Sequence, residues 1–215
     1  MIILAIEQST SVGSIAILDN TFVMVEQNWM ENSRDRAINP FPFLSALCKK
    51  ASMDLSDIDI FAVGLGPGSF TRLRMSLSAA NAFALPDKKP VIGISSGKAL
   101  AYDIFQETES TSVTIVGDAR RGQLWFAQFK KKNALPQMTT SFSVIKFSEF
   151  PFIHHNKSIV ATSDFSQIGE ELNQFIPQKS TFIQEARMPH AKTVGKLALR
   201  DFKNQQAKKT TPALI

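Results

Sequence analysis

Apolar residues fall in short runs along the first half of the chain, and polar or helix-spaced segments separate them. Residues 2–6 form an unbroken apolar run and predict a buried strand. Residues 12–18 predict a second strand, closed by Asp19-Asn20 as turn residues. Residues 22–29 predict a third that pairs back on it, with apolar side chains at Phe22, Met24 and Trp29. The stretch 28–39 is polar and charged and reads as a loop. A helix follows to about Ala51, since Pro40 suits a first-turn position after Asn39. Residues 60–65 predict a fourth strand, 70–83 a second helix, 91–94 a fifth strand and 97–105 a third helix. Three antiparallel strands followed by alternating helices and strands predict an α/β lobe, a mixed sheet with helices on both faces.

Beyond this lobe the pattern thins. Residues 113–117 and 124–129 predict two strands of a second lobe, joined across Asp118 to Gln123. Further on, 158–162 reads as a strand, 165–175 as a helix and 188–202 as a final helix. The expected division is a first lobe over 1–106 and a smaller second lobe over 107–215 that carries the C-terminal helix. No internal repeat or low-complexity stretch is visible.

The densest motif lies where the fourth strand runs into Gly66-Pro67-Gly68 and Ser69-Phe70-Thr71 opens a helix. Ser69 or Thr71 can cap that helix through a side-chain oxygen. A strand, a glycine turn and a helix N-terminus form an anion site, because free N–H groups and the helix dipole favour negative charge. The turn lacks the Lys-Ser/Thr ending of a P-loop and is not a dinucleotide fingerprint. A tight turn that packs the helix close to its strand uses the same residues, so both readings stand.

Composition narrows the classes. Of 215 residues, 44% are hydrophobic, enough for a core, yet no apolar run reaches the roughly 18–20 residues of a membrane span. The opening lacks the basic start of a signal peptide, and Cys48 is the only cysteine. Internal disulfides are therefore excluded and a reducing cytoplasm is expected, with Cys48 buried inside a helix. The net charge of +5 permits contact with RNA or an acidic partner, although paired lysines and arginines at element ends read as solvated surface. The histidines are His154, His155 and His190, and two adjacent ones point different ways, so no metal site and no cofactor are expected. No Gly-x-Ser-x-Gly nucleophile elbow is present.

The stretch Gly66-Pro67-Gly68-Ser69-Phe70-Thr71-Arg72-Leu73-Arg74 resembles the signature of the TsaB (YeaZ) family. Three segments agree with it in order and spacing: Ile3-Leu4-Ala5-Ile6-Glu7-Gln8-Ser9-Thr10, Val91-Ile92-Gly93-Ile94-Ser95-Ser96 and Asp118-Ala119-Arg120-Arg121-Gly122-Gln123. The resemblance covers roughly residues 1–130. It implies a ribonuclease-H-like lobe of the actin, sugar kinase and Hsp70 superfamily, with a reduced second lobe. It also implies a non-catalytic subunit that supports TsaD, which threonylcarbamoylates an adenosine beside the tRNA anticodon. A TsaE-like ATPase would join a ternary complex, a homodimer through the same helices is an alternative, and tRNA would be met only indirectly.

The resemblance puts the partner surface on the first two helices. Helical spacing directs Phe70, Leu73, Leu77, Ala80 and Ala84 at the sheet and puts Met75, Ser76, Ser78, Ala79 and Ala82 on other faces, of which Met75, Ser78, Ala79 and Ala82 are candidates for a partner. Phe41 and Phe43 cannot both face inward, so one is available for binding; Arg72 and Arg74 form the rim. This chain has Arg72 where the family usually carries glycine and Arg36 where it carries histidine. Its ending, Thr210-Thr211-Pro212-Ala213-Leu214-Ile215, lacks the family's tyrosine-leucine-arginine.

In this superfamily the first-strand acid holds a metal phosphate through water. Glu7 and Asp118, with Gly66, Gly68 and Ser69, would compose such a site and carry the rival reading, a phosphotransferase or ATPase. Against it, Glu7 can cap its turn through Ser9 and Thr10, and Asp118 can pair with Arg120 or Arg121. A kinase also needs an adenosine-binding glycine motif in its second lobe, and none is visible between 130 and 215. An RNA-binding module ranks lowest, because Trp29, Trp125 and Tyr102 are scattered.

Overall fold

The computed structural model of the chain describes residues 1–30, 39–150 and 158–210, without the side chains of 206–210. Arg36, His154, His155 and residues 211–215 lie outside the described residues. Contacts divide the chain into two compact units, Met1–Ser96 with His190–Ile215, and Gly97–Pro189.

The first unit is built on a five-stranded sheet of β1 (Ile3–Glu7), β2 (Val12–Leu18), β3 (Val23–Met30), β4 (Ile60–Gly64) and β5 (Val91–Ile94), in the order β3-β2-β1-β4-β5. β1 pairs antiparallel with β2, from Ile3↔Leu18 to Glu7↔Ser14, and parallel with β4, from Ile3↔Ile60. Every residue of β1 and β4 is buried, as expected of central strands covered on both faces. On one face α1 (Phe41–Ala51) and α2 (Phe70–Ala84) close a core around Leu4, Ile6, Ile15, Ile17, Phe61 and Val63. Asn39 Oδ1 accepts the Phe41 N–H at 3.0 Å and so starts α1. Pro42 sits in the first turn, where a missing N–H costs no helix bond.

The second unit repeats this arrangement. Its strands are β6 (Ser112–Arg120), β7 (Gln123–Lys132), β8 (Leu135–Lys146), β9 (Ile159–Thr162) and β10 (Thr181–Phe182), ordered β8-β7-β6-β9-β10. The first three again run antiparallel and the last two parallel. The same topology thus occurs twice with no sequence repeat to announce it. The second unit has as many strands as the first, and its edge strand β10 is the short one, with two residues. Helix α3 (Ser96–Glu107) begins at the last residue of the first unit's opening segment. Its Leu100, Ala101, Ile104 and Phe105 pack with Val113, Ile115, Ala127 and Phe129 of the second. Helix α4 (Phe165–Gln174) contributes Ile168 and Leu172 to a further core cluster with Val116, Phe126 and Phe147.

The units differ from the expected 1–106 and 107–215 in two places: the break falls at 96/97, which puts most of α3 in the second unit, and the last helix, α5 (Ala191–Thr210), belongs to the first. The buried face of α5 carries Ala191, Thr193, Val194, Leu197 and Ala198. A side chain at Gly195 would crowd Leu18 and Ala5. That face packs against β1, β2 and β4, and Ser14 Oγ accepts the Ala191 N–H at 2.8 Å at the helix start. β8 and β10 are absent from the hydrophobic pattern. β8 is an edge strand whose middle, Thr139-Thr140-Ser141, is polar, and its place is set by backbone pairing to β7.

Candidate functional site

Helix α2 starts without a side-chain cap, contrary to the expectation for Ser69 or Thr71. Ser69 instead donates its N–H to the Ser9 carbonyl at 2.9 Å, and its own carbonyl accepts the Leu73 N–H at 2.9 Å. The helix is also rotated from its expected facing. Ser76, Ala79, Ala80 and Ala84 are buried, whereas Phe70 is 71% exposed and Leu77 40%. Ala79 belongs to the core at 2% exposure and is removed from the partner surface. The reason is a polar contact and close packing. Ser76 Oγ donates to Gln8 Oε1 at 2.7 Å in the interior, and alanines on either side let the helix approach the sheet. Large side chains on that face would hold it off.

The outward face therefore carries Phe70, Arg74, Leu77, Ser78, Ala82 and Leu85, the last 75% exposed. Their spacing follows one side of a helix. The Arg74 guanidinium lies 5.4 Å over the Phe70 ring. Met75 and Arg72 are half-buried, and Arg72 is engaged within the protein. On α1 the phenylalanines separate. Phe43 stacks on Trp29 at 4.4 Å and joins the core, while Phe41 stays 45% exposed, edge-on to Phe83 at 5.0 Å. A groove of 760 Å³ beside Phe41 is lined by Leu44, Cys48, Met53, Leu55 and Phe83. Burial, and then the Asp54 and Asp57 charges, push the Cys48 thiol up, so it stays protonated at neutral pH.

The five residues expected to hold a phosphate divide between the two units. Glu7 is fully buried; Oε1 accepts the Ser9 N–H at 2.7 Å and Oε2 the Ser96 hydroxyl at 2.7 Å. Desolvation raises its pKa, and the hydrogen bonds from Ser9 and Ser96 and the charge of His190 pull it partly back. Ser96 Oγ in turn accepts the Gly66 N–H at 2.9 Å. Two turn donors, Gly66 and Ser69, are thus already bonded to protein oxygens, with a carboxylate one hydroxyl away from the first. Gly66 adopts φ +84, and a Cβ at Gly68 would collide with the Ser9 carbonyl, so both glycines serve a tight turn. Asp118 accepts the Arg120 N–H at 2.6 Å and pairs with the Arg120 guanidinium at 3.1 Å, all within its own hairpin. Among the described residues no group of three or more His, Cys, Asp or Glu is arranged to hold a metal, and no helix is long and apolar enough to cross a membrane.

A family model described as TsaD, tRNA N6-adenosine threonylcarbamoyltransferase, matches residues 31–209. The chain is 26% identical over 170 residues to the tRNA threonylcarbamoyladenosine biosynthesis protein TsaB of Escherichia coli (strain K12), covering 79% of this chain and 71% of that protein. The chain belongs to the TsaB family, within the wider family that this model describes. Its fold is that of YeaZ from Pseudomonas aeruginosa, with a TM-score of 0.79 at 21% identity over 100% of this chain and 99% of that one. An inorganic polyphosphate/ATP-glucomannokinase from Arthrobacter sp. strain KM aligns at a TM-score of 0.51 and 8% identity, covering 95% and 99% of the two chains. The chain is thus an α/β protein whose fold is shared with YeaZ and, more distantly, with this sugar kinase.

The TsaB signature itself, Gly66 to Arg74, is the turn and first helical turn just described. Its glycines match close approaches, and its Phe70 and Arg74 point outward. Sequence reasoning missed Leu77 and Leu85 as surface residues and Ser96 as the partner of Glu7. A signal existed at Leu85, a large apolar residue at the helix end just before Pro86. None existed for Ser96, 89 residues from Glu7.

Proposed function

We propose that the chain serves tRNA threonylcarbamoyladenosine biosynthesis as a non-catalytic subunit that docks TsaD through the outward face of α2. The observation that carries this reading is the apolar stripe Phe70, Leu77 and Leu85, left bare on a helix whose opposite side packs on the sheet, with Phe41 of α1 exposed separately beside Phe83. Exposed apolar residues gathered on one helix face mark an interaction site, whereas scattered ones do not. Arg74 beside Phe70 supplies a rim cation. Phe43 and Ala79, being core, act only by supporting the helices, and Arg72 and Met75 lie at the edge of the face. Ser78 and Ala82 are small and permit close helix–helix approach.

A non-catalytic role is supported by the state of the two acids. Both oxygens of Glu7 and both of Asp118 are engaged inside their own units, which leaves them poorly placed for metal-phosphate chemistry. The names of the TsaB relatives support the pathway. A heterodimer with TsaD, a TsaE-like ATPase in a ternary complex and a homodimer through the same face when TsaD is absent complete the proposal. The cytoplasm, where tRNA is modified, is the proposed location. The test is reconstitution with TsaD, TsaE, ATP, tRNA and the threonylcarbamoyl donor. Modified adenosine should form only when this chain is added to TsaD, and the chain without TsaD should form none. Modification by the chain in the absence of TsaD would overturn the non-catalytic reading.

A further inference from the structure

Glu7 stands where a nucleotide-binding relative would keep an acid for a metal phosphate, yet its carboxylate is spent on two protein donors. Both donors lead to the same turn. Through Oε1 it holds the Ser9 N–H, and the Ser9 carbonyl accepts the Ser69 N–H at 2.9 Å, just ahead of α2. Through Oε2 it holds the Ser96 hydroxyl, and that oxygen accepts the Gly66 N–H at 2.9 Å while the Ser96 N–H returns to the Gly66 carbonyl at 2.9 Å. The turn that launches α2 is therefore gripped at its start by Ser96 and at its end by Ser9, and one buried carboxylate anchors both grips. Space around it is equally committed. A Cβ at Gly64 would fall on the Glu7 carboxylate, and one at Gly68 on the Ser9 carbonyl.

We infer that Glu7 is a positioning residue for partner docking: its carboxylate fixes the start of α2, and with it the outward direction of Phe70 and Arg74. The residue that would handle phosphate in a kinase here sets an interface instead. The inference rests on the proposed docking face of α2 and adds to it the device that orients that face. Both hydrogen bonds lie away from water, where a donor left without its acceptor costs the full desolvation of that group. An amide at position 7 puts an N–H donor where one of the two acceptors stood, which should loosen the turn locally while the strands of the sheet, held by their own ladders, stay closed.

The experiment uses the full chain carrying Glu7→Gln and, separately, Ser96→Ala, which deletes the hydroxyl link without touching the buried acid. Hydrogen–deuterium exchange is followed in peptides covering 64–75 and, as a control, 12–18. Affinity for purified TsaD is measured in parallel, with Leu77→Asp as a docking control. The expected result is exchange about ten- to a hundredfold faster in 64–75 alone, and TsaD binding weakened about tenfold or more for both variants. Unchanged exchange in 64–75 overturns the anchoring role. Equal acceleration in 12–18 overturns it too, since Glu7 would then be an ordinary core contact. A loosened turn with unchanged TsaD affinity, while Leu77→Asp abolishes binding, refutes the positioning role and leaves the docking face intact. If Leu77→Asp also leaves binding unchanged, the docking face itself is wrong.

Discussion

Phe70→Ala is the sharpest probe of the docking face. Phe70 is the first residue of α2 and 71% exposed. A phenylalanine side chain offers about 200 Å². Roughly 140 Å² of it therefore remains for a partner to cover, worth about 3.5 kcal/mol at 25 cal/mol per Å². Alanine would recover part of this through contacts of its own, so a loss of about 2–3 kcal/mol, roughly 30- to 150-fold in affinity, is the expected cost. The monomer should barely change. It loses the Arg74 contact, about 0.5–1 kcal/mol at an exposed site, and gains about 0.5 kcal/mol of helix propensity. Titration calorimetry of wild type and variant against TsaD, beside a thermal melt of each chain alone, separates the two terms. An affinity within threefold of wild type at unchanged melting temperature would refute the argument that Phe70 lies in the interface. A melting temperature lowered by many degrees would show that the ring supports the fold.

Ala79→Arg should unfold the chain or lower its melting temperature severely, because a buried cation with no partner belongs to the most destabilising class of substitution, about 4 kcal/mol or more. A soluble variant with a wild-type melt would mean that α2 faces the other way. Glu7 also makes stability depend on pH. Its folded-state pKa is raised, so the folded protein holds this proton more tightly than the unfolded one; the contribution is full below the ordinary carboxylate pKa and is lost as pH rises through the folded value. His190 is the charged neighbour acting on it and narrows the window from above. Urea midpoints of wild type and Glu7→Gln should therefore diverge from the ordinary carboxylate pKa upward, with wild type losing ground as pH rises, and parallel curves would contradict the assignment.

Much of this architecture was readable along the chain because its central strands, β1 and β4, are buried on both faces and so appear as unbroken apolar runs. β1, β2, β4 and β5, and helices α1 and α2, fall within a residue or two of the expected positions. The Gly66–Gly68 turn was readable for a different reason: glycine at close approaches is a local demand. Local order is also enough to announce the strand–turn–helix signature of the TsaB family.

What the chain alone could not decide is which side of an element meets which neighbour. α2 carries two overlapping stripes, Phe70-Leu73-Leu77-Ala80-Ala84 and Ser76-Ala79-Ala80-Ala84, and hydrophobicity favours the first as core. The sheet prefers the second, because Gln8, buried on an adjacent strand end, takes the Ser76 hydroxyl and small side chains allow close contact. The same holds for Phe41 and Phe43, separated by the ring of Trp29 in a strand that precedes them. It holds for α5, which the sequence presents after the second unit and the first unit's sheet claims as its cover. Periodicity records that a helix has a buried side, whereas the partner that buries it comes from residues dozens of positions away. Glu7 is the clearest case: its acid was evident from the sequence, but only the approach of Ser9, Ser96 and Gly66 in space turned it from a phosphate ligand into an anchor for the turn.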